Sequence, residues 1–277
     1  MDCAIGSSLM PGRMRVISLM YHDVAAVGAT HESGFLGADA ALYKLEPSQL
    51  DQHLAAIARV REAPIGVFDL PETNTPIPWI LTFDDGGVSA YSYVADRLDA
   101  LGWCGHFFVA TDYIGAPGFM SRAQIRELHH RGHIIGSHSC SHPLQMARCG
   151  WRQLCSEWRM SVNVLADLLG VPVTLASVPG GQFSGPVANA AAEAGIKALF
   201  TSEPTSKCTV RAGCLILGRY VIRRRTSSRT AAAIAAGKVS PGMRQMLLWN
   251  IKKVGKVLGG KAYLKARQAL IRQLPDW

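Results

Sequence analysis

The chain has 277 residues, 48% of them hydrophobic and 18% charged, which excludes a disordered protein and is enough for a substantial core. Its net charge of +9 is uneven: residues 1–218 hold 15 basic and 19 acidic side chains, whereas residues 219–277 hold 14 basic side chains and one acid. The basic C-terminal part is therefore a candidate functional unit of its own.

The termini and cysteines bear on location. The first eight residues lack the basic start and apolar run of a secretory signal, and no apolar stretch is long enough to span a bilayer. The seven cysteines are an odd number without a Cys-x-x-Cys pair, which favours a reducing compartment. We expect a cytoplasmic protein and leave open a peripheral association with the inner membrane face.

The chain opens with a predicted strand over residues 15–21, directly followed by His22. Residues 24–46 show no periodicity and predict a loop of a length that often serves as a substrate-binding or lid segment. Ser48 is the predicted N-cap of a helix that runs to about Arg61.

Residues 80–83 predict a short buried strand that ends in two adjacent carboxylates, Asp84 and Asp85, and two glycines. Adjacent carboxylates repel each other. A bound cation offsets that repulsion and leaves one carboxylate free to act as a base. An ordinary acidic turn is the alternative interpretation.

Strands and helices alternate through the rest of the chain. Predicted helices cover residues 88–101, 121–131, 151–169 and 186–194, and predicted strands cover residues 105–109, 173–178, 197–201 and 214–222, with a further strand from residue 133 into a polar loop. About seven strands alternating with helices indicate an α/β architecture with parallel strands. In such barrels the reactive groups follow the carboxyl ends of the strands.

Two histidines four residues apart, His138 and His142, lie in the polar loop after the predicted strand from residue 133. Zn²⁺ accepts two imidazoles and a carboxylate and keeps a fourth position open for water. A lone pair of this kind is weak evidence, because polar loops often hold solvated histidines. The pair becomes stronger evidence when an Asp-Asp-Gly sequence follows an earlier strand.

Residues 82–86 (Thr-Phe-Asp-Asp-Gly) and 138–143 (His-Ser-Cys-Ser-His-Pro) resemble the first two motifs of the polysaccharide deacetylases, the NodB-homology or carbohydrate esterase 4 family. The resemblance extends over about residues 16–225. It implies a distorted (β/α)7 barrel, which we place at residues 14–225, with a basic helical extension at residues 226–277.

The family pattern implies the same roles as the residue chemistry. Asp85, His138 and His142 are the candidate ligands of a divalent metal, with Zn²⁺ the first choice, and Asp84 is the candidate general base. The residues alone leave open which of the two aspartates takes which role, and the resemblance supplies the division.

The later motifs of the family depart from the pattern. Ser177 stands where the third motif usually has an arginine that orients the catalytic aspartate, so that charge is missing or comes from another residue. Gly180 in the same segment is a candidate for presenting a backbone N–H group to the developing oxyanion, although a plain Pro-Gly turn is the alternative. Glu203 falls near the fourth motif, and a supporting role and a solvated glutamate are equally good interpretations.

The fifth motif of the family supplies a histidine as general acid, but this chain has no histidine after His142. Arg219 lies in that region; it cannot give up a proton, and it stays a candidate contact to the oxyanion or the substrate. His22 is our substitute for the acid, because the first and last strands of a barrel close against each other. A hydrogen-bonded surface histidine is the competing interpretation.

The extension at residues 226–277 combines helical spacing of apolar residues with many basic ones. A basic amphipathic helix is typical of an anionic membrane surface, and the interleaved aromatics of a single-strand nucleic-acid binder are lacking, so we expect no nucleic-acid partner. Helices packed on the barrel with a solvated basic side are the alternative.

Together these features predict a metal-dependent hydrolase that removes N-acetyl or other N-acyl groups from an amino-sugar glycan or a lipid-linked saccharide, in cell-envelope or exopolysaccharide metabolism. One alternative is a deformylase of a lipid-linked amino sugar. Another, motivated by the missing arginine and histidine, is a catalytically weak carbohydrate-binding protein.

Overall fold

The computed structural model describes residues 14–247 and 249. The strands of this part of the chain are β1 (Ile17–Tyr21), β2 (Trp79–Phe83), β3 (His106–Val109), β4 (Ile134–Ser137), β5 (Leu175–Ser177), β6 (Ala198–Phe200), β7 (Cys208–Arg211), β8 (Cys214–Leu217) and β9 (Tyr220–Val221). The helices are α1 (Ala38–Ala41), α2 (Pro47–Ala58), α3 (Ala95–Ala100), α4 (Arg122–His130), α5 (Trp151–Leu169), α6 (Gly185–Glu193) and α7 (Ser228–Ala235). Residues 239–247 are helical as well.

The strands form one sheet in the order β7-β8-β6-β5-β4-β3-β2-β1-β9. Every neighbouring pair is parallel except β7 and β8, which form an antiparallel hairpin. Parallel strands need crossover connections, and helices supply most of them here. The carboxyl ends of the parallel strands consequently meet at one rim of the sheet.

A two-residue link closes this sheet into a barrel. β8 pairs with β6 near one end of the strand order and β9 pairs with β1 at the other end, yet only Gly218 and Arg219 separate β8 from β9. Such a link spans roughly 10 Å, so the two ends of the sheet must come together. Glycine is required at position 218, because the Cβ atom of any other residue would lie 2.5 Å from the Glu203 carbonyl oxygen and clash with it.

Side chains of successive strand residues alternate between the barrel interior and the helix-covered exterior. The interior holds a contiguous buried cluster that includes Val16, Ile80, Phe108, Leu175, Phe200 and Leu215. A larger cluster joins the exterior faces to the helices and includes Leu54, Leu98, Trp158 and Ala231. Every second residue of a strand points to the same side. If each interior row is continued beyond its strand towards the carboxyl-end rim, the positions on the interior side include His22, Asp84, His138 and Arg219.

The predicted α/β barrel is confirmed, and the boundaries of α5 agree with its apolar spacing. Ser121, the first residue of the predicted helix 121–131, is the N-cap of α4, since its hydroxyl accepts from the Gln124 N–H. The prediction that Ser48 caps α2 was wrong: α2 begins at Pro47, and Glu46 is its N-cap. Proline is favoured at a first helical position, where its missing N–H costs nothing.

The predicted number of strands also needs correction. The single strand predicted over residues 214–222 is divided into β8 and β9 by the closing link, and the hairpin strand β7 was not predicted, so the sheet has nine strands rather than about seven. Helix α7, which the sequence places in the extension, packs against α2 and β1. Among the described residues, no helix has both the length and the apolar character needed to cross a bilayer.

Candidate active site

Five polar side chains meet at the carboxyl-end rim of the barrel. They follow β1 (His22), β2 (Asp84 and Asp85) and β4 (His138), or lie in the closing link (Arg219). Four of them are almost fully buried, with exposed fractions of 5% for Asp84, 8% for Asp85, 2% for His138 and 0% for Arg219. Charged groups are rarely buried without partners, so this concentration marks a site whose members compensate one another.

Asp85, His138 and His142 form the candidate metal centre. The Nε2 atoms of His138 and His142 lie 3.3 Å and 3.4 Å from Asp85 Oδ1. One ligand atom from each of the three lies within 4.8 Å of the others. Two imidazole nitrogens and a carboxylate oxygen are a donor set typical of zinc sites that keep an open position.

The tautomer of His138 follows from its hydrogen bond. His138 Nδ1 lies 3.0 Å from the Ser177 carbonyl oxygen, which can only accept, so Nδ1 carries the proton. Nε2 is then left with a lone pair that faces Asp85. A backbone carbonyl that fixes the second nitrogen in this way is the usual outer partner of a metal-binding histidine.

Glu157 of α5 holds the loop that carries His138 and His142. Its carboxylate accepts from the N–H groups of Cys140 and Ser141 at 2.9 Å and 2.8 Å and from the Ser141 hydroxyl at 2.5 Å. The loop contains two non-glycine residues with left-handed backbones, Ser139 at φ 61° and His142 at φ 57°. Such conformations need support from their surroundings, and Glu157 gives it.

Asp84 is paired with Arg219, and its Oδ2 lies 4.0 Å from His138 Nε2, farther than the 3.3 Å between that nitrogen and Asp85. Both guanidinium terminal nitrogens donate to its carboxylate, at 2.6 Å to Oδ1 and 2.7 Å to Oδ2, and the Ser177 hydroxyl donates to Oδ2 at 3.1 Å. Arg219 also donates to Ser177 Oγ, Thr82 Oγ1 and the Thr201 carbonyl, so it makes five hydrogen bonds. The orientation of Asp84 is thereby fixed by a bidentate pair.

The two aspartates stay ionised for different reasons. Burial by itself raises the pKa of Asp84, but the charges of Arg219 and His138 outweigh it and the pKa lies below its usual value. Burial likewise opposes ionisation of Asp85, and the hydrogen bonds of His138 and His142 bring its pKa well below the ordinary range. Asp85 is thus stabilised by the two histidines, whereas Asp84 is stabilised mainly by Arg219, with a contribution from His138.

His22 lies beside this group, close enough that Asp85 and Asp84 raise its pKa; burial has the larger effect, and the net pKa is lowered. Its Nδ1 atom is buried and has no hydrogen-bond partner among the described residues. One face of the imidazole contacts the Tyr43 ring, with centroids 4.6 Å apart. His22 thus lies near the two aspartates, and its role as general acid stays a prediction.

The long loop before α2 covers one side of the site. Phe35 packs against the His142 ring at 4.5 Å between centroids and against Phe119. The ammonium of Lys44 donates to the carbonyls of Thr30, Ser33 and Phe35 and ties the loop together. These contacts support the interpretation of residues 24–46 as a segment that shapes access to the site.

The remaining predicted residues lie at the edge. Gly180 has a left-handed backbone, and an added Cβ would lie 2.4 Å from the Leu144 carbonyl, so the third-motif segment packs directly on the loop after His142. The side chain of Glu203 is exposed, and its carbonyl accepts from the Arg219 N–H at 2.8 Å. The sequence interpretation missed Glu157 and the partnership of Arg219 with Asp84.

Comparison with known proteins agrees with this description. A family model described as polysaccharide deacetylase matches residues 72–199. No curated protein matches the chain. Among solved structures, the Streptococcus pyogenes deacetylase PplD in complex with acetate is 19% identical with a TM-score of 0.65, over 78% of this chain and 96% of that one.

Two further solved structures are similar over most of their own length. IcaB from Ammonifex degensii is 17% identical with a TM-score of 0.65, over 80% of this chain and 97% of that one. A de-N-acetylase from Aggregatibacter actinomycetemcomitans is 17% identical with a TM-score of 0.64, over 77% and 97%. At such low identity these similarities establish the fold, and they confirm the predicted barrel type.

Proposed function

Residues 72–199 belong to the polysaccharide deacetylase family, and from this premise we propose that the chain is a metal-dependent hydrolase that removes N-acetyl groups, or N-acyl groups more generally, from an amino sugar. The predicted family resemblance is confirmed. Because members of the family are hydrolases of N-acetyl groups, the chain is an enzyme of the carbon–nitrogen hydrolase class.

The observation that carries the proposal is the division between the two neighbouring aspartates. Asp85 faces the two histidines at 3.3 Å and 3.4 Å, while Asp84 faces Arg219 at 2.6 Å. One carboxylate is thus available for a metal and the other is available as a base. That division is what amide hydrolysis needs, since water must be activated and deprotonated at the same place.

The donor chemistry fits a divalent metal, for which Zn²⁺ is our first choice, held by Asp85, His138 and His142. Such an ion supplies a lowered water pKa and a polarised acyl carbonyl. Asp84 takes the proton of the attacking water. Arg219 and the Ser177 hydroxyl keep Asp84 aligned for this transfer, in the place of the missing third-motif arginine.

The other steps fall to residues around the rim. We assign the oxyanion contact to the Gly180 N–H and the general acid to His22, which gives a proton to the departing amine nitrogen as the carbon–nitrogen bond breaks. The products are the carboxylic acid and the free amino sugar. Arg219 donates five hydrogen bonds to Asp84 and its neighbours, which supports a role in positioning Asp84 over a role as a contact to the oxyanion or the substrate.

The family implies a carbohydrate substrate. We propose an N-acetylated glycan or a lipid-linked saccharide of cell-envelope or exopolysaccharide metabolism. A deformylase has the same site chemistry and remains the second candidate. A catalytically weak protein was suggested by the missing third-motif arginine and the missing fifth-motif histidine. Because Arg219 pairs with Asp84, the first of these two reasons no longer applies.

Location and membrane contact are further parts of the proposal. We propose a cytoplasmic protein, on the ground of the odd number of cysteines. Contact with an anionic membrane surface rests on the basic residues of the extension, most of which lie in the stretch 250–277, outside the described residues. The helical spacing of the extension predicts an apolar stripe of Met243, Met246, Leu247, Ile251, Val254 and Leu258. The first three are 59%, 41% and 63% exposed, and the last three lie outside the described residues.

The test compares metal content and acetate release in matched variants. Asp84→Asn should keep the metal and lose turnover of N-acetylated glucosamine oligosaccharides. Asp85→Asn, His138→Ala and His142→Ala should lose metal affinity as well as turnover, while the exposed His130→Ala serves as the control. Full metal occupancy in the His138 and His142 variants, measured by elemental analysis, would contradict the assignment.

A further inference from the structure

Arg223 lies at the carboxyl-end rim of the barrel, two residues after the end of β9. Arg219, Val221 and Arg223 alternate along the last strand, so all three point to the same side as Leu215 and Leu217 in the interior. The Ile222 N–H still donates to the Met20 carbonyl at 2.9 Å, which continues the pairing with β1 beyond β9. Arg223 thus lies at the level of the residues that follow β1.

Arg223 and His22 contact the same tyrosine ring. The guanidinium carbon of Arg223 lies 5.6 Å from the centroid of Tyr43, and the His22 ring lies 4.6 Å from it. The two side chains therefore share Tyr43 as a common neighbour. Since His22 adjoins Asp84 and Asp85, Arg223 stands beside the reacting groups without taking part in their hydrogen bonds.

The guanidinium of Arg223 has no anionic partner in the described part of the chain. Its Nε atom is buried and makes no hydrogen bond there, and none of the ion pairs of that part includes it. The undescribed stretches offer only two acidic side chains, Asp2 and Asp276. A partly buried cation without a counterion is costly, which points to an anion that arrives from outside.

The backbone around Arg223 is fixed in advance. The Arg223 N–H donates to the Thr226 hydroxyl and its carbonyl accepts from the Thr226 N–H, which closes a turn. Gln49 donates to the Arg224 carbonyl, and the Arg224 guanidinium pairs with Glu46 at 2.9 Å. The side chain of Arg224 is thus bound to Glu46 within the fold. The backbone of Arg223 is held in place, while its guanidinium N–H groups remain available to a ligand.

We propose that Arg223 binds an anionic group of the substrate, either a phosphate or a carboxylate, carried on or next to the acylated sugar. The inference rests on the proposed function and adds the charge of the substrate to it. Arginine presents two parallel donors that match both kinds of oxyanion. Tyr43, which contacts both Arg223 and His22, offers the sugar a flat apolar surface next to the anion.

The experiment compares three small substrates in steady-state hydrolysis: N-acetylglucosamine 1-phosphate, the methyl glycoside of N-acetylglucosaminuronic acid, and the neutral methyl glycoside of N-acetylglucosamine. The wild-type enzyme should have the lowest KM for one of the two anions, which identifies phosphate or carboxylate as the ligand. Arg223→Gln should raise that KM by about 10-fold to 100-fold, as expected for a charge-assisted hydrogen bond, and leave the KM of the neutral substrate unchanged.

Matched variants separate binding from folding. Arg223→Lys keeps the charge and should lose only part of the preference, and Arg126→Gln, on an exposed position of α4, should change nothing. The preference should weaken as salt is raised. An equal rise of KM for charged and neutral substrates in Arg223→Gln, or a wild-type enzyme without preference for either anion, would overturn the inference.

A binding measurement keeps this inference separate from the proposed function. Glucosamine 1-phosphate and glucosaminuronic acid have no acyl group and are not turned over, so their affinity can be measured by calorimetry even if none of the three substrates is hydrolysed. Binding of one of them by the wild type that is lost in Arg223→Gln would support the anion site alone. Hydrolysis of the neutral substrate, with no binding of either anion, would support the hydrolase alone.

Discussion

The pairing of Asp84 with Arg219 makes a quantitative prediction about stability. Both side chains are at most 5% exposed, and they share two short hydrogen bonds. Removing one partner leaves a buried charge without compensation, which costs about 3–5 kcal/mol of the free energy of unfolding. Asp84→Asn and Arg219→Met should therefore each be destabilised by about that amount.

The double variant Asp84→Asn/Arg219→Met should be much less destabilised than the sum of the two single variants. It leaves no unpaired charge behind, and interacting residues of this kind are coupled by about 0.5–3 kcal/mol. We expect a coupling energy near the upper end, because the pair is bidentate and excluded from water. Urea unfolding of the four proteins, all stripped of metal with a chelator, measures it. Additive effects would refute the reasoning.

The same pair predicts a shift in the pH dependence of hydrolysis. Arg219 holds the pKa of Asp84 below its usual value, and burial would raise that pKa if the cation were removed. Asp84 stays ionised above its folded-state pKa and is lost as a base when the pH falls through it. In Arg219→Met the acidic limb of the kcat profile should therefore move to higher pH, with metal content unchanged. An unmoved limb would show that Arg219 does not act through Asp84.

Four further predictions concern single features of the chain. Glu157→Gln should weaken metal affinity by about 10-fold to 100-fold in a chelator competition, because it loosens the histidine loop, whereas Asp167→Asn, on an exposed position of the same helix, should not. Burial lowers the pKa of His106 from 6.5 to about 4. The free energy of unfolding should therefore be higher by about 3 kcal/mol above pH 6.5, where His106 is neutral in both states, and this contribution is lost as the pH falls towards 4. Urea unfolding across that range should show a flatter pH profile for His106→Gln than for the wild type or His130→Gln. His22→Gln should lower kcat by about 10²–10⁴-fold with unchanged metal content, and near wild-type activity would rule out His22 as the acid. Deletion of residues 250–277, which hold seven of the basic side chains, should reduce co-sedimentation with anionic vesicles at low salt and spare hydrolysis of a soluble substrate; equal pelleting of both proteins would exclude a membrane role.

The sequence predicted the family, the barrel and the grouping of Asp84, Asp85, His138 and His142 because their signals are local. Asp84, Asp85 and His138 follow a short strand directly, His142 lies in the loop after one, and parallel strands bring their carboxyl ends to one rim. The number of strands was less predictable. Residues 214–222 are divided because their first half pairs with β6 and their second half pairs with β1. That information lies in tertiary contacts and not in the pattern of the segment itself.

Two residues carried a signal that was not used. Glu157 falls on the buried side of α5, close in helical spacing to Leu154 and Ser161, and a carboxylate on such a face requires partners. Arg219 continues an apolar alternation along the last strands, where a cation equally requires a buried anion. Either position could have been identified as unusual. The identity of the partner could not, because Arg219 and Asp84 are 135 residues apart in the chain.

The link at Gly218 and Arg219 has a consequence for the order in which the protein is made. Ribosomes deliver β1 and β2 early, and N-terminal parts of a chain begin to fold before the rest exists. Until β9 emerges, β1 has an unpaired edge and Asp84 lacks its cation. In a nascent chain that stops short of residue 219, the edge of β1 is therefore exposed, and Asp84 lacks the bidentate partner that fixes its orientation.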